Sequence, residues 1–312
     1  MTTSIMPKTT ELSQSGMALI VLTFILGMAA TAFLLHALNA NTMKMARDKK
    51  TAAALVEAKA ALIGRAVSDD NRPGSLPCPD GNGDGSADLF AGVNCPAYVG
   101  RFPWKTLAMT KLADGSGEPL WYALASNYRD HATAQPINGT AIGDLRVDGS
   151  GDIVAILFSP GAPSQTQSGR PSNNVSDYLE GENADGDTNF SRQTGNGQND
   201  RLLTISRQEL MATLSQRMLR EIRGDTTQGM RKYYSNATVY PYADFDGDGN
   251  ADAGQFAGRP SHQAGLDSLY FNSATFNLLQ NNDWFSRINY SIASDRRTAW
   301  LELNGKTLAV AP

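Results

Sequence analysis

The chain has 312 residues, enough for about two domains at roughly 150 residues each. Hydrophobic residues are 41% and charged residues 19%, the balance of a chain that buries a core rather than staying disordered. A net charge of −4 argues against a general nucleic-acid binder, and three histidines with two cysteines leave little for a His-rich metal enzyme or a four-ligand zinc site.

In chain order, the first feature is the apolar run at 17–38, MALIVLTFILGMAATAFLLHAL, which contains no Asp, Glu, Lys or Arg. About 20 such residues cross a bilayer as a helix, whereas a secretory signal has an apolar core of about 7 to 15. The run reads as a membrane-spanning helix. A polar stretch ending Gln14-Ser15-Gly16 precedes it. Residues 39–68 follow without proline, and Leu55, Ala58, Leu62 and Ala66 recur at helical spacing. Pro73 and Gly74 mark the stop. One helix of about 50 residues, roughly 75 Å long, is expected, apolar all round in its first half and amphipathic in its second.

A short polar leader (1–16), a glycine at its end and a long helix (17–70) leading to a soluble head resemble the type IV pilins and the pseudopilins of type II secretion. The resemblance implies cleavage between Gly16 and Met17 by a prepilin peptidase and methylation of the new amino terminus. It implies a single-pass inner-membrane protein of a Gram-negative bacterium, its head in the periplasm or at a filament tip. Its partners would be other pilin or pseudopilin subunits, with no nucleic acid. Most members of the family carry Glu at mature position five, where it pairs with a neighbour's amino terminus; Val21 stands there in this chain. An unpaired charge in a membrane is costly, so a subunit with no neighbour above it can dispense with that Glu. The chain therefore resembles a minor, filament-capping subunit of the K type.

The head reads as a duplication. Residues 76–92, LPCPDGNGDGSADLFAG, match 240–258, YPYADFDGDGNADAGQFAG; residues 120–126, LWYALAS, match 288–294, INYSIAS. The two pairs of blocks have similar offsets, as a repeated module gives. Helical stretches at 51–66 and 208–223 precede the two copies. Asp148-Gly149 and Asn304-Gly305 read as hairpin turns. The expected fold is α+β: the long transmembrane helix, then two tandem pilin-like heads at 71–163 and 207–312, each a helix on a small antiparallel sheet. The stretch 164–206, rich in Gln, Ser, Gly and Asn, reads as the connecting loop.

Two acidic loops carry the chemistry. Asp80, Asn82, Asp84, Ser86 and Asp88 alternate along the first, with Gly85 after the third member; Asp244, Asp246, Asp248, Asn250 and Asp252 alternate along the second, with Gly249. Calcium takes six to eight oxygens, and this spacing curls several carboxylates around one point. Ala91 and Gln255 stand where a bidentate Glu would complete a helix-flanked calcium loop, so the sites are expected to be weak. A third stretch, Asn183, Asp185, Asp187 and Asn189, lacks the glycine after its third member and reads as a solvated turn rather than a calcium loop. Cys78 and Cys95 flank the first loop and are expected to form a disulfide outside the cytoplasm.

No GxSxG, HExxH or GxxxxGK[ST] motif occurs. Asp148 and Asp152 read as turn residues, His131 and His262 as surface residues, and Trp104, Trp121, Trp284 and Trp300 as core or packing residues. Asn199-Asp200-Arg201 reads as a local cap or pair. The expectation is a non-catalytic minor pilin or pseudopilin that initiates or caps a filament. The alternative is a membrane-anchored, calcium-dependent adhesion or binding module outside any filament.

Overall fold

The computed structural model describes residues 14–165, 167–193, 198–263 and 269–311, and within the first helix it describes side chains at 22–31 and from 41 onward. The chain divides into two units, Met1–Lys50 and Thr51–Pro312.

The first unit holds the beginning of helix α1 (Gln14–Ser68). Leu22, Phe24, Ile25, Leu26 and Met28 are exposed. The Thr31 hydroxyl donates back to the carbonyls of Gly27 and Met28. No helix among the described residues is long and apolar enough to cross a membrane. The expected span at 17–38, and with it a single-pass inner-membrane location, is therefore not supported. The described apolar run at 22–31 rises about 15 Å, half of a bilayer core of about 30 Å. From Lys44 the helix carries Arg47, Asp48, Lys49 and Lys50. Of the expected leader, residues 1–13 lie outside the described residues; Gly16 and Met17 fall in the first turn of α1.

In the second unit, α1 buries Ala54, Leu55, Ala58, Leu62 and Ala66, the stripe its spacing predicts. The helix ends where the Gly74 N–H turns back to the Ala66 carbonyl, at a φ of 97° that glycine adopts freely. Six strands then form one sheet: β1 (Val99–Arg101), β2 (Trp121–Leu124), β3 (Leu145–Val147), β4 (Ser150–Ser159), β5 (Asn189–Phe190) and β6 (Arg201–Ser206). Their order is β1-β2-β4-β3-β5, with β6 also pairing β4. β4 is buried from Ile153 to Ser159 and flanked on both edges, which its near-continuous apolar run requires. The β3–β4 hairpin turns on Asp148 (φ 50°) and Gly149 (φ 78°), the left-handed pair of a type I′ turn. β3 pairs with β5 in parallel, so the sheet is mixed, and β6 lies within the stretch that reads as a connecting loop.

Helix α2 (Arg207–Arg223) follows β6 directly. The Ser206 side chain caps it by accepting the Glu209 N–H, and Gly224 closes it at φ 63°. Next come α3 (Gly229–Ala237), β7 (Ala257–Gly258), α4 (Ser273–Asn281), β8 (Asn289–Ile292), β9 (Ala299–Leu303) and β10 (Lys306–Val310). These strands form a second sheet, ordered β10-β9-β8-β7, with Asn304 (φ 49°) and Gly305 (φ 74°) turning its last hairpin. Burial alternates along β9, so one face of that sheet is covered and the other open.

The expectation of two tandem heads, each with its own helix, is corrected here. α2 packs against β4 and β6 of one sheet and β9 and β10 of the other. Its buried side chains, Leu210, Met211, Leu214, Met218, Leu219 and Ile222, belong to one continuous core that takes in both sheets. Burying each such side chain is worth about 1.5–3 kcal/mol, so α2 contributes to the cover of both sheets.

Candidate functional site

The two acidic loops are built on the same backbone scaffold. In the first, Asp80 and Arg101 exchange backbone hydrogen bonds (2.9 and 2.8 Å); in the second, Asp244 and Arg259 do the same (3.0 and 2.8 Å). The Asp80 carboxylate accepts the N–H groups of Gly83 and Gly85 at 2.7 Å each. Asp244 accepts those of Gly247 (2.7 Å) and Gly249 (3.0 Å). Both aspartates are buried, and both spend their carboxylates on a turn that folds the loop over them. Further along, Asp84 Oδ1 accepts the Ser86 N–H and Asp248 Oδ1 the Asn250 N–H. These bonds hold both exposed carboxyls below the usual carboxylate range: for Asp84 the Ser86 N–H leads, and for Asp248 the Asn250 side chain.

The correspondence extends into the sheets. Gly100 stands opposite Tyr122, and Gly258 opposite Tyr290. A Cβ at Gly100 would lie 3.0 Å from the Asp80 carbonyl oxygen, and one at Gly258 would lie 2.4 Å from that of Asp244. Leu76 donates to the Tyr128 carbonyl as Tyr240 donates to that of Arg296. The halves diverge at their hairpins. β2 pairs with β4, the second hairpin strand, whereas β8 pairs with β9, the first.

The structure brings only part of the expected ligand set together. Carboxylate oxygens of Asp244, Asp246 and Asp252 lie within 4.8 Å of one another, the only group of its kind among the described residues. Oxygens about 2.3–2.6 Å from one calcium ion are at most about 5 Å apart, so these three fit such an ion. Asp248 and Asn250 bond to each other instead, Nδ2 to Oδ2 at 2.9 Å. Around the first loop, Asp80, Asp84 and Asp88 form no such group; Asn82 and Asp84 bond to each other, and Ser86 donates its N–H to Asp84.

Cys78 and Cys95 form the expected disulfide, which closes the chain around the first loop. At the corresponding place in the second half, Tyr242 is held by the Arg296 guanidinium 4.0 Å over its ring and by Phe256 edge-on. A cation–aromatic contact thus stands where the first half has a covalent staple.

A cleft adjoins each loop. The first, about 310 Å³, is lined by Asp80, Arg101, Trp104, Lys111 and Tyr178. Arg101 lies over the rings of Trp121 and Tyr178 and donates to Asn173 and the Ser172 carbonyl. The second, about 190 Å³, is lined by Asp244, Arg259, His262 and Phe285, with the imidazole stacked on the Phe285 ring at 4.2 Å. Arg101 and Arg259 are residues that spacing did not single out; the Gly-Arg dipeptide after each loop is the available signal. His131 packs edge-on against Phe90. Trp121 and Trp284 are core residues, and Trp300 is exposed on β9. Asp200 does not pair locally: it reaches back to accept the Glu180 N–H at 2.8 Å.

Comparison of the chain with protein-family models, curated proteins and solved structures returns no match.

Proposed function

We propose that this chain is a non-catalytic assembly subunit of the pilin or pseudopilin kind, one that starts or caps a filament. The observation that carries the reading is the run of exposed apolar side chains on α1: Leu22, Phe24, Ile25, Leu26 and Met28. Covering each is worth about 1.5–3 kcal/mol, so helices of neighbouring subunits packed on this stretch would drive assembly without any catalytic step. Gly16 and Met17 would be the processing point for a prepilin peptidase. Val21 in place of the family's Glu suits a subunit with no neighbour above it. The loops and clefts of the second unit would supply recognition.

Intact mass and N-terminal sequence of the native protein test this reading. A chain that starts at Met17, with a methyl group on its amine, supports it. A chain that still starts at Met1 overturns it.

A second element of the reading is a weak calcium loop at Asp244, Asp246 and Asp252. Bound calcium would supply positive charge that lets three carboxylates sit together, and the loop's Gly247 and Gly249 N–H groups would hold Asp244 in place for it. Millimolar calcium is expected to raise the Tm of the intact chain, and Asp246→Asn to abolish the rise. An unchanged Tm in calcium and in chelator removes the metal from the proposal.

A further inference from the structure

A pair of acidic residues with buried carboxyl oxygens lies away from both loops. Asp200, only 3% exposed, precedes β6; Glu180 precedes a single 3-10 turn at Gly181–Asn183. The Asp200 Oδ2 accepts the Glu180 N–H at 2.8 Å and the Asn183 side-chain amide at 3.4 Å. The Glu180 Oε2 accepts the Asn199 N–H at 3.1 Å. Asn183 in turn exchanges hydrogen bonds with the backbone of Ser191. Among the described residues, Glu180 Oε1 and Asp200 Oδ1 are both buried and neither has a hydrogen-bond partner. Two carboxyl groups held together out of water do not both ionise readily, and a proton on one of them can satisfy an oxygen of the other.

Among the described residues, the surrounding charges do not supply a substitute. Arg170 pairs with Glu118 and spends its other donors on Gln167 and the carbonyls of Gly161, Asp177 and Tyr178. Arg192 pairs with Asp148. Glu182 and Arg201 are exposed, and Arg201 has a partner of its own.

We propose that Glu180 and Asp200 share one proton and form a pH-sensitive latch, which fastens the segment 178–191 to the start of β6. Burial first, and then the Glu180 side chain, push the Asp200 carboxyl up to about 8. The sign follows from linkage. A carboxyl whose folded value is raised binds its proton more tightly in the folded chain. Its stabilising effect is complete below the unfolded value of about 4 and is lost as the pH rises to about 8. Above that range the shared proton is lost, the pair repels itself and the segment is released.

The test is the Tm of the full chain from pH 5 to pH 8, for wild type, Asp200→Asn and Glu180→Gln. Either amide can donate to the remaining carboxylate and so replaces the shared proton permanently. The wild-type Tm is expected to fall across this range by several degrees more than that of either variant. Equal falls overturn the latch, as does a wild-type fall abolished by adding calcium or magnesium alone, which would mean that a cation holds the pair. If neither variant folds, ¹³C carboxyl shifts of wild-type protein decide. An aspartate titrating near 8 supports the latch, and none above 5 overturns it.

Discussion

Arg72 shows how much of this fold one side chain holds. Its guanidinium is buried and donates to the carbonyls of Asn127 (2.8 Å), Arg129 (2.5 Å) and Gln135 (2.9 Å), tying the end of α1 to the loop after β2. Burial pulls its pKa down to about 10, so it stays charged at neutral pH. Just before it, burial would raise the Asp69 carboxyl, but the Arg72 N–H, Arg65 and the Asn71 N–H together hold it below the usual range. Arg72→Met would strand those carbonyls without a donor, and the expected loss is about 3 kcal/mol or more in urea unfolding. Arg72→Lys should recover little, because an ammonium cannot reproduce the planar fork. A loss under 1 kcal/mol would show that water takes over the carbonyls.

At the scale of elements, the repeat makes a paired prediction. Gly100 and Gly258 sit where the strand crosses the acidic loop, and a methyl group at either position would meet a backbone carbonyl. Gly100→Ala and Gly258→Ala are each expected to cost about 1–3 kcal/mol, as overpacking at a rigid backbone contact does. The closer approach at Gly258 makes its cost the larger. Ala substitution at Gly149 is the contrast, since no atom lies within 4 Å of its Cβ position and only the φ of 78° is strained. If Gly100→Ala and Gly258→Ala both leave the Tm unchanged, the close crossing of loop and strand is not a constraint on the fold.

At the scale of the second unit, α2 decides whether the two sheets unfold separately. Leu214 is fully buried, and its Cδ2 lies 3.2 Å from where a Gly74 Cβ would be, in the first half of the unit. One residue on, Ser215 accepts a hydrogen bond from Asn304 in the β9–β10 turn. Leu214→Ala therefore opens a cavity that both halves line. It is expected to lower stability by about 2–5 kcal/mol within one cooperative transition, read by calorimetry. Two resolved transitions, only one of them shifted, would mean that the sheets are independent after all.

Local chemistry was legible in the sequence. The Asp-Gly and Asn-Gly turns, the α1 stripe from Leu55 to Ala66, the cystine around the first loop and the matching acidic loops all rest on residues close together in the chain, whose backbone preferences act alone. The apolar residues at 17–38 suggested a membrane span by composition, but the helix is not long and apolar enough among its described residues. The two-head plan failed for a different reason. Amphipathic spacing on α2 says that a face is buried and not how many sheets bury it, and Leu210 to Ile222 form a stripe broad enough to serve two. Likewise, nothing near Asp200 in sequence names Glu180, because their meeting depends on β6 joining the first sheet from within a stretch whose polar composition reads as loop. Sequence by itself determined where the chain turns and crosslinks, since those are short-range conformational energies. Only the tertiary structure decided which surfaces share a core and which buried acids share a site, since those depend on contacts between residues far apart in the chain.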